Sequence, residues 1–215
     1  FSIIGISLGV AAIIIVMSVM NGFRIDLTNR IIGLNSHLNI YSFDNEITNK
    51  QANELILKID NSFFYQHYKS IETNGLIIKS NDSKGVMIKG YDEYDKNHYL
   101  YNTIYRGKLI QNPKSEILIG DSLANEMNLS VGDKVKIAIP KTDKTILGNI
   151  PRFKTLEVVG IFDLGLYEYD YNLIFLSSDL VRKLLLYEED IYNKIEFFSS
   201  SPNKIELFKN NVELE

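Results

Sequence analysis

The sequence predicts an α+β chain: an N-terminal transmembrane helix continued as a stalk, then a folded body of mixed, mostly antiparallel strands and short helices. Three observations predict it. No charged residue occurs from Phe1 to Phe23. Beyond Asn35, short runs that alternate apolar and polar residues are interleaved with segments of helical period. Neither the regular spacing of strand–helix–strand units nor a glycine fingerprint is present, which disfavours a parallel doubly wound sheet.

The 215 residues carry 23 basic and 27 acidic side chains, a net charge of −4. That length allows a sizeable core, and the mildly acidic balance offers no basic field to a nucleic acid. With no cysteine, disulfides and thiolate metal sites are excluded, while the compartment stays open. Phe1 stands where a methionine would open a complete chain, so the sequence reads as a segment of a longer protein.

Residues 1–23 form the predicted membrane span. As a helix they cover roughly 30 Å, about the hydrocarbon thickness of a bilayer. Ile, Leu, Val and Phe side chains favour insertion by on the order of 3–7 kcal/mol. A cleaved signal peptide fits less well, because Met17-Ser18-Val19-Met20 is a poor cleavage site. A buried core helix would rarely be apolar on all sides for this length. Gly5 and Gly9, four apart, either offer a face for close helix packing or reflect ordinary glycine use in membrane helices. Phe23, Leu27, Ile31 and Leu34 then recur as one apolar stripe, with Arg24, Asp26 and Arg30 off it. Residues 24–34 are therefore expected to continue the helix as an amphipathic stalk, which either transmits movement from the membrane or simply packs on the body.

The body, residues 35–215, is read in order. Leu38–Tyr41 is a strand, and 47–59 a helix with Ala52, Leu55, Ile56 and Ile59 on one face. Residues 70–79 and 86–90 are strands joined by the polar segment 81–85. Residues 116–119 form a strand and 121–127 a helix capped by Asp121. Val135, Ile137 and Ile139 alternate, as do Leu156, Val158 and, after a shift, Ile161 and Leu164. Residues 172–176 form a strand, 178–187 a helix and 194–198 a strand, with a last helix after Ser201-Pro202.

Little in the body points to catalysis. Gly120-Asp121-Ser122-Leu123 spells the nucleophile block of a group of lipases and esterases. Such a serine needs a downstream histidine, and all three histidines (His37, His67, His98) lie upstream. The acidic groups Asp92-Glu93-Asp95 and Glu188-Glu189-Asp190 lack the spacing of a calcium loop and read as solvated loops. There is no phosphate-binding glycine loop with a following lysine, so ATP is not expected to bind this chain. Tyr167–Tyr171 suits either an interaction surface or an edge strand with half-buried aromatics.

The segment from Pro140 to Pro151 is the most informative. Two of the chain's four prolines bracket a loop between two strands, with Ile146, Leu147 and Ile150 around Gly148-Asn149. A hairpin tip of this length projects, and apolar groups on it either meet a partner or fold back to bury Ile146 and Ile150. Arg152 and Lys154 lie at its base.

The run Ile4–Ala12 followed by Val16-Met17-Ser18-Val19-Met20-Asn21-Gly22-Phe23-Arg24 resembles the first membrane helix of the lipoprotein-releasing permeases of LolC/LolE type. These are ABC transporter subunits related to the MacB family. Ile31–Leu34 with His37, Val86–Gly90, Ile117–Gly120, Leu123-Ala124, Gly132–Val135, Gly148–Pro151 and Val159–Phe162 extend the resemblance over most of the chain. It implies a MacB-like periplasmic core domain after helix one, truncated before helix two, in the bacterial inner membrane with the main domain in the periplasm. It further implies a permease rather than an enzyme, with ATP and magnesium held by a separate cytoplasmic ATPase and no cofactor on this chain. The implied partners are that ATPase, a second permease subunit, lipoprotein substrates destined for the outer membrane and a LolA-like periplasmic chaperone. By the same resemblance, Ile146, Leu147, Gly148, Asn149, Ile150 and Pro151 stand at a chaperone-binding hook, Arg152 and Lys154 at a basic pad, and Met17, Met20, Asn21 and Phe23 at lipoprotein- and membrane-facing helix positions. A MacB-like efflux or FtsX-like mechanotransmitting permease would share the architecture without the hook.

Overall fold

The computed structural model describes residues 2–42, 46–59, 63–94, 96–145 and 148–199, and their side chains except at 28–34 and 140–151. The chain divides into two units, residues 1–35 and 36–215. The first holds helix α1 (Ser2–Leu34). Its Ser2–Leu27 stretch is long and apolar enough to cross a membrane, and its side chains are exposed through Asp26. The helix continues without a break past Arg24, as the apolar stripe predicts.

The second unit comprises β1 (Leu38–Tyr41), β2 (Ile47–Thr48), α2 (Asn49–Lys58), β3 (Phe64–Lys79), β4 (Asp82–Tyr91), a 3-10 turn (Tyr99–Thr103), β5 (Ile104–Gly107), β6 (Glu116–Gly120) and α3 (Asp121–Glu126). There follow β7 (Lys134–Thr145), β8 (Gly148–Phe162), α4 (Tyr167–Asn172), β9 (Leu173–Ser177), α5 (Ser178–Leu185), β10 (Ile191–Tyr192) and β11 (Lys194–Ser199). Antiparallel ladders dominate, but β4–β9 and β6–β8 are parallel.

The ladders close on themselves. β3 pairs β4, β4 pairs β9, β9 pairs β6, β6 pairs β8, β8 pairs β7, and β7 returns to β3 through Leu76–Ala138, Ile77–Ile137 and Ile78–Lys136. Gly75 permits that last approach, since a Cβ there would stand 2.7 Å from the carbonyl oxygen of Ala138. Inside the ring lie the alternating residues of each strand, among them Ile71, Ile77, Ile88, Ile117, Ile119, Val135, Ile137, Leu156, Val158 and Ile174, all essentially buried. Burying each such side chain contributes about 1.5–3 kcal/mol. The shift expected in the alternation after Val158 is a β-bulge, where the β6–β8 register steps between Ile117 and Leu118.

β3 is longer than the ring requires. Its first half pairs β11, which pairs β1, and β11 is buried along its whole length. On one face of this extension β2 and α2 with its C-cap pack Ile47, Ala52, Ile56 and Ile59 against Ile195 and Phe197. A capping box, in which Thr48 and Gln51 satisfy each other's backbone amides, starts α2. The opposite face carries Lys194, Glu196 and Phe198 toward an aromatic layer of Tyr68, Tyr91, His98 and Tyr99.

Glu196 is 1% exposed. Its Oε1 accepts from Lys89 Nζ and Lys194 Nζ, both at 3.0 Å, and its Oε2 from the Tyr91 hydroxyl at 2.6 Å. Lys194 also reaches Glu72 at 3.0 Å. Burial alone would raise the carboxyl's pKa, but the two ammonium groups override it and hold the group at about 2.

Several elements differ from the sequence expectation. The hairpin between β3 and β4 turns at Ser80-Asn81, with Ser80 left-handed (φ 54°), so residues 82–85 are paired strand rather than loop. Gly120, not Asp121, caps α3, and Asp121 instead bonds Asn125 at 3.0 Å and the Tyr105 hydroxyl. Tyr167–Asn172 is a helix, not a strand: Tyr167 and Tyr171 stack one turn apart, and the backbone of Asp170 seats against Gly120, where a Cβ would collide. β5, β2 and β10 were not foreseen. The helix expected after Pro202 lies outside the described residues.

The buried Asp170 accepts from the Leu164 amide at 2.8 Å. Burial, with Asp163 as a further negative neighbour, raises its carboxyl to about 6. The folded state therefore binds this proton more tightly than the unfolded one, and stability falls as pH rises from about 4 to about 6. Asp170→Asn keeps the acceptor and removes the charge. In detergent it should melt about 4–8 °C above the parent at pH 7 and level with it at pH 4, a gain of on the order of 2 kcal/mol.

Glu196 has the opposite sign. Its depressed pKa contributes stability that is present above the ordinary carboxyl pKa and lost as pH falls from about 4.5 toward about 2. Parallel acid melts of the parent and Glu196→Gln should differ in slope over that window, the parent losing on the order of 3 kcal/mol more.

Candidate functional site: a two-stranded finger and its basic base

Beyond the ring, β7 and β8 continue as a hairpin. Thr142–Pro151, Asp143–Ile150, Lys144–Asn149 and Thr145–Gly148 are paired rungs, and among the described residues none of the four has a third strand beside it, since β3 leaves β7 at Ala138. The register slips between Ile139 and Thr142, so Pro140 falls in a bulge, where its missing N–H costs the ladder nothing. The segment read from sequence as a proline-bracketed loop is thus mostly strand. Gly148, Asn149, Ile150 and Pro151 belong to β8 by backbone pairing, while Ile146 and Leu147 lie outside the described residues.

The two basic residues at the base play different parts. Arg152 is half-buried, and its Nη1 donates to the Lys183 carbonyl at 3.2 Å. That carbonyl belongs to the last turn of α5, where a cation meets the negative end of the helix dipole. Arg152 therefore pins the finger's base to α5. Lys154, opposite Ile137 in the ladder, is exposed and lines a recess of about 110 Å³ with Pro113, Lys114, Asp179, Leu180 and Lys183. Asp179 is held by Arg182 at 2.7 Å. Among the described residues Lys114, Lys154 and Lys183 have no carboxylate partner, so three unpaired lysines line the recess together.

On the outward face, Leu76, Ala138 and Phe153 stand in one cross-strand row, with Met87 diagonal to it. Leu76 is 45% and Phe153 54% exposed. The finger's base is thus apolar on one side and basic on the other. Lys114, Lys183 and Leu76 carried no sequence signal, because only chain folding brings them beside residues 137–154.

In α1, Met17, Met20 and Asn21 share one face by i, i+3, i+4 spacing with Phe23 at its edge, and all four are exposed. Elsewhere the three histidines are engaged away from Ser122. His37 Nδ1 accepts from the Ser199 amide, His67 packs on Phe197, and His98 caps the 3-10 turn. Asp92, expected in a solvated loop, instead accepts from Tyr192 at 2.6 Å and pairs with Arg182 at 3.3 Å. Glu188 and Glu189 are exposed, as that reading required. Among the described residues no group of three metal-ligating side chains converges.

The fold and the relatives agree. The chain is similar to the LolC transmembrane protein of the lipoprotein-releasing system of Neisseria meningitidis, 28% identical over 88% of this chain and 46% of that one. It is also similar to LolC of Buchnera aphidicola (29%, 88% and 47%) and to LolE of Haemophilus influenzae (26%, 94% and 50%). The chain therefore spans about half the length of the relatives it matches. Among solved structures it shares its fold with the periplasmic region of MacB from Actinobacillus actinomycetemcomitans, at TM-score 0.51, 13% identity and coverage of 85% and 86%. The extracellular domain of the transporter YknZ from Gram-positive bacteria gives the same score and identity, at 79% and 86% coverage. The resemblance to LolC/LolE-type permeases is borne out, with α1 in the inner membrane and the sheet domain in the periplasm. Residues 1–204 match the MacB-like periplasmic core domain, and the chain belongs to that family.

Proposed function

We propose that this chain is part of a permease subunit of an ABC transporter that releases lipoproteins from the inner membrane and passes them to a soluble periplasmic chaperone. Residues 1–23 span the membrane, residues 24–34 form the stalk, and the domain from residue 35 receives its movement. ATP and magnesium belong to a separate cytoplasmic ATPase, and a second permease subunit completes the channel through which the lipoprotein leaves. Met17, Met20, Asn21 and Phe23 face lipid and lipoprotein.

The observation that carries this reading is the finger: four rungs of hairpin beyond the closed sheet, with a basic recess on one side of its base and an exposed apolar row on the other. A two-stranded ribbon gains little stability by itself, so an extension of this kind is better explained by a partner than by the fold. Ile146, Leu147, Gly148, Asn149, Ile150 and Pro151 form the hook that enters the chaperone. Lys154, with Lys114 and Lys183 beside it, forms the pad that meets acidic groups on the chaperone's rim, and Arg152 braces that pad from behind. By the resemblance the hook belongs to LolC-like chains and is lacking in LolE-like ones, so the finger favours a LolC-like or combined role.

The likeness to the MacB and YknZ domains supports a second reading, a mechanotransmitting efflux permease in which no chaperone is met. The two are separated by capture of a LolA-like chaperone on the assembled transporter. Leu147→Asp should weaken capture at least tenfold without changing the melting temperature. Lys154→Glu with Lys183→Glu should weaken it several-fold and flatten its salt dependence. Full capture by both well-folded variants would remove the hook and pad, and no capture by the parent would favour the efflux reading.

A further inference from the structure

The buried charges around Glu196 are met by Ser36, the first residue of the second unit. Ser36 follows the last residue of α1 by two positions, and its Oγ lies 3.2 Å from Glu196 Oε1. The same Oγ also contacts Asn39 Oδ1, and Asn39 stands directly opposite Glu196 in the β1–β11 ladder. His37 donates its amide to the Phe197 carbonyl at 2.8 Å, and its Nδ1 accepts from the Ser199 amide at 2.8 Å. Through Glu196 this first segment is tied to Lys194 on β11, Lys89 and Tyr91 on β4, and by way of Lys194 to Glu72 on β3. Two lysines face two glutamates, so the cluster is neutral as a whole.

We propose that this cluster is a polar joint, with Glu196 as its hub, that locks the strand following the membrane helix in one register on the sheet and so makes movement of α1 felt by the whole domain. The proposal rests on the reading of the chain as an ATPase-driven permease. Its physical basis is the intolerance of a buried ionic cluster for partial satisfaction. A ladder of four rungs is short and lies at the sheet's edge, where fraying and slippage are cheap. A slip of one residue would withdraw Asn39 from Glu196 and present Leu38 or Ile40 to buried charges. The cluster therefore penalises every register but one, and load arriving at Ser36 is shared among β11, β3 and β4. Packing on α2 holds the other face of the same strands but supplies no such selectivity, because apolar contacts survive small shifts. Ser36 and Glu196 are positioning residues in this account.

The test uses the full permease with its ATPase in vesicles carrying a lipoprotein. Ser36→Ala removes the tie to the chain following α1, Glu196→Gln removes the hub's charge, and Leu123→Ala, deep in the ring and away from the joint, serves as a control of comparable or greater thermal destabilisation. Both joint variants should assemble and hydrolyse ATP within about twofold of the parent. ATP consumed per lipoprotein released should rise at least fivefold in them, and less than twofold in the control. Equal ratios in all three variants would overturn the joint.

A second readout does not depend on release. The chain has no cysteine, so Ile25→Cys and Asn102→Cys, both at exposed positions, give a clean spin-label pair across the two units. Under ATP turnover its distance distribution should widen relative to the parent's in Ser36→Ala and Glu196→Gln and match the parent's in Leu123→Ala. Unchanged widths in the joint variants would overturn the proposal even in vesicles that release no lipoprotein, whereas absence of release by the parent counts only against the transport reading.

Discussion

The domain depends on one strand that serves two partners along a single edge. β3 pairs β11 over its first half and β7 near its end, with β4 along the other side of its second half. The contact with β7 closes the ladder ring and encloses the main core. The contact with β11 leaves the ring and builds the extension on which β1 pairs. Gly75 is central to this arrangement, because a side chain there would hold β7 away from β3 and open the ring.

Closure divides the sheet into two chemically different faces. The inner one carries the main apolar core, with Ile71, Ile77, Ile137 and Leu156 among its residues, because a polar group enclosed there without a partner would be costly. Over the extension the outer face is instead covered by aromatic rings, and these can share their surroundings with polar groups provided that each polar atom finds a partner. Glu196, Lys89, Lys194 and Tyr91 meet that condition by bonding to one another. Such clusters are seldom retained for stability, since apolar replacements often do as well. Their capacity to specify a single arrangement fits a place where the register of a short edge strand matters.

The finger follows from the same topology. β7 and β8 run on after β3 has parted from them, so among the described residues the last rungs pair only with each other. Their base is held instead by Arg152 at the end of α5, and this anchoring assembles the recess in which Lys114, Lys154 and Lys183 meet.

Much of this could be read in the sequence. An uncharged run from Phe1 to Phe23 fits a membrane helix better than a signal peptide or an enclosed core helix, and the stripe through Leu34 pointed to a helix that continues. Val135, Ile137 and Ile139 marked an inward-facing strand, and the paired prolines marked the finger. Tyr167–Tyr171 was misread as a possible strand because tyrosine favours sheets, whereas contact with Gly120, about fifty residues earlier, decided for a helix. β5 escaped notice because three of its four residues are exposed and show no alternation. Local pattern thus marked most of the elements and the membrane span, and the motifs that resemble the permeases pointed to the family. The ring closure, the pairing of Ser36 with Glu196 across 160 residues and the meeting of Lys154 with Lys114 and Lys183 were decided only by the tertiary structure, because each depends on groups distant in sequence being held within a few ångströms by the packing of everything between them.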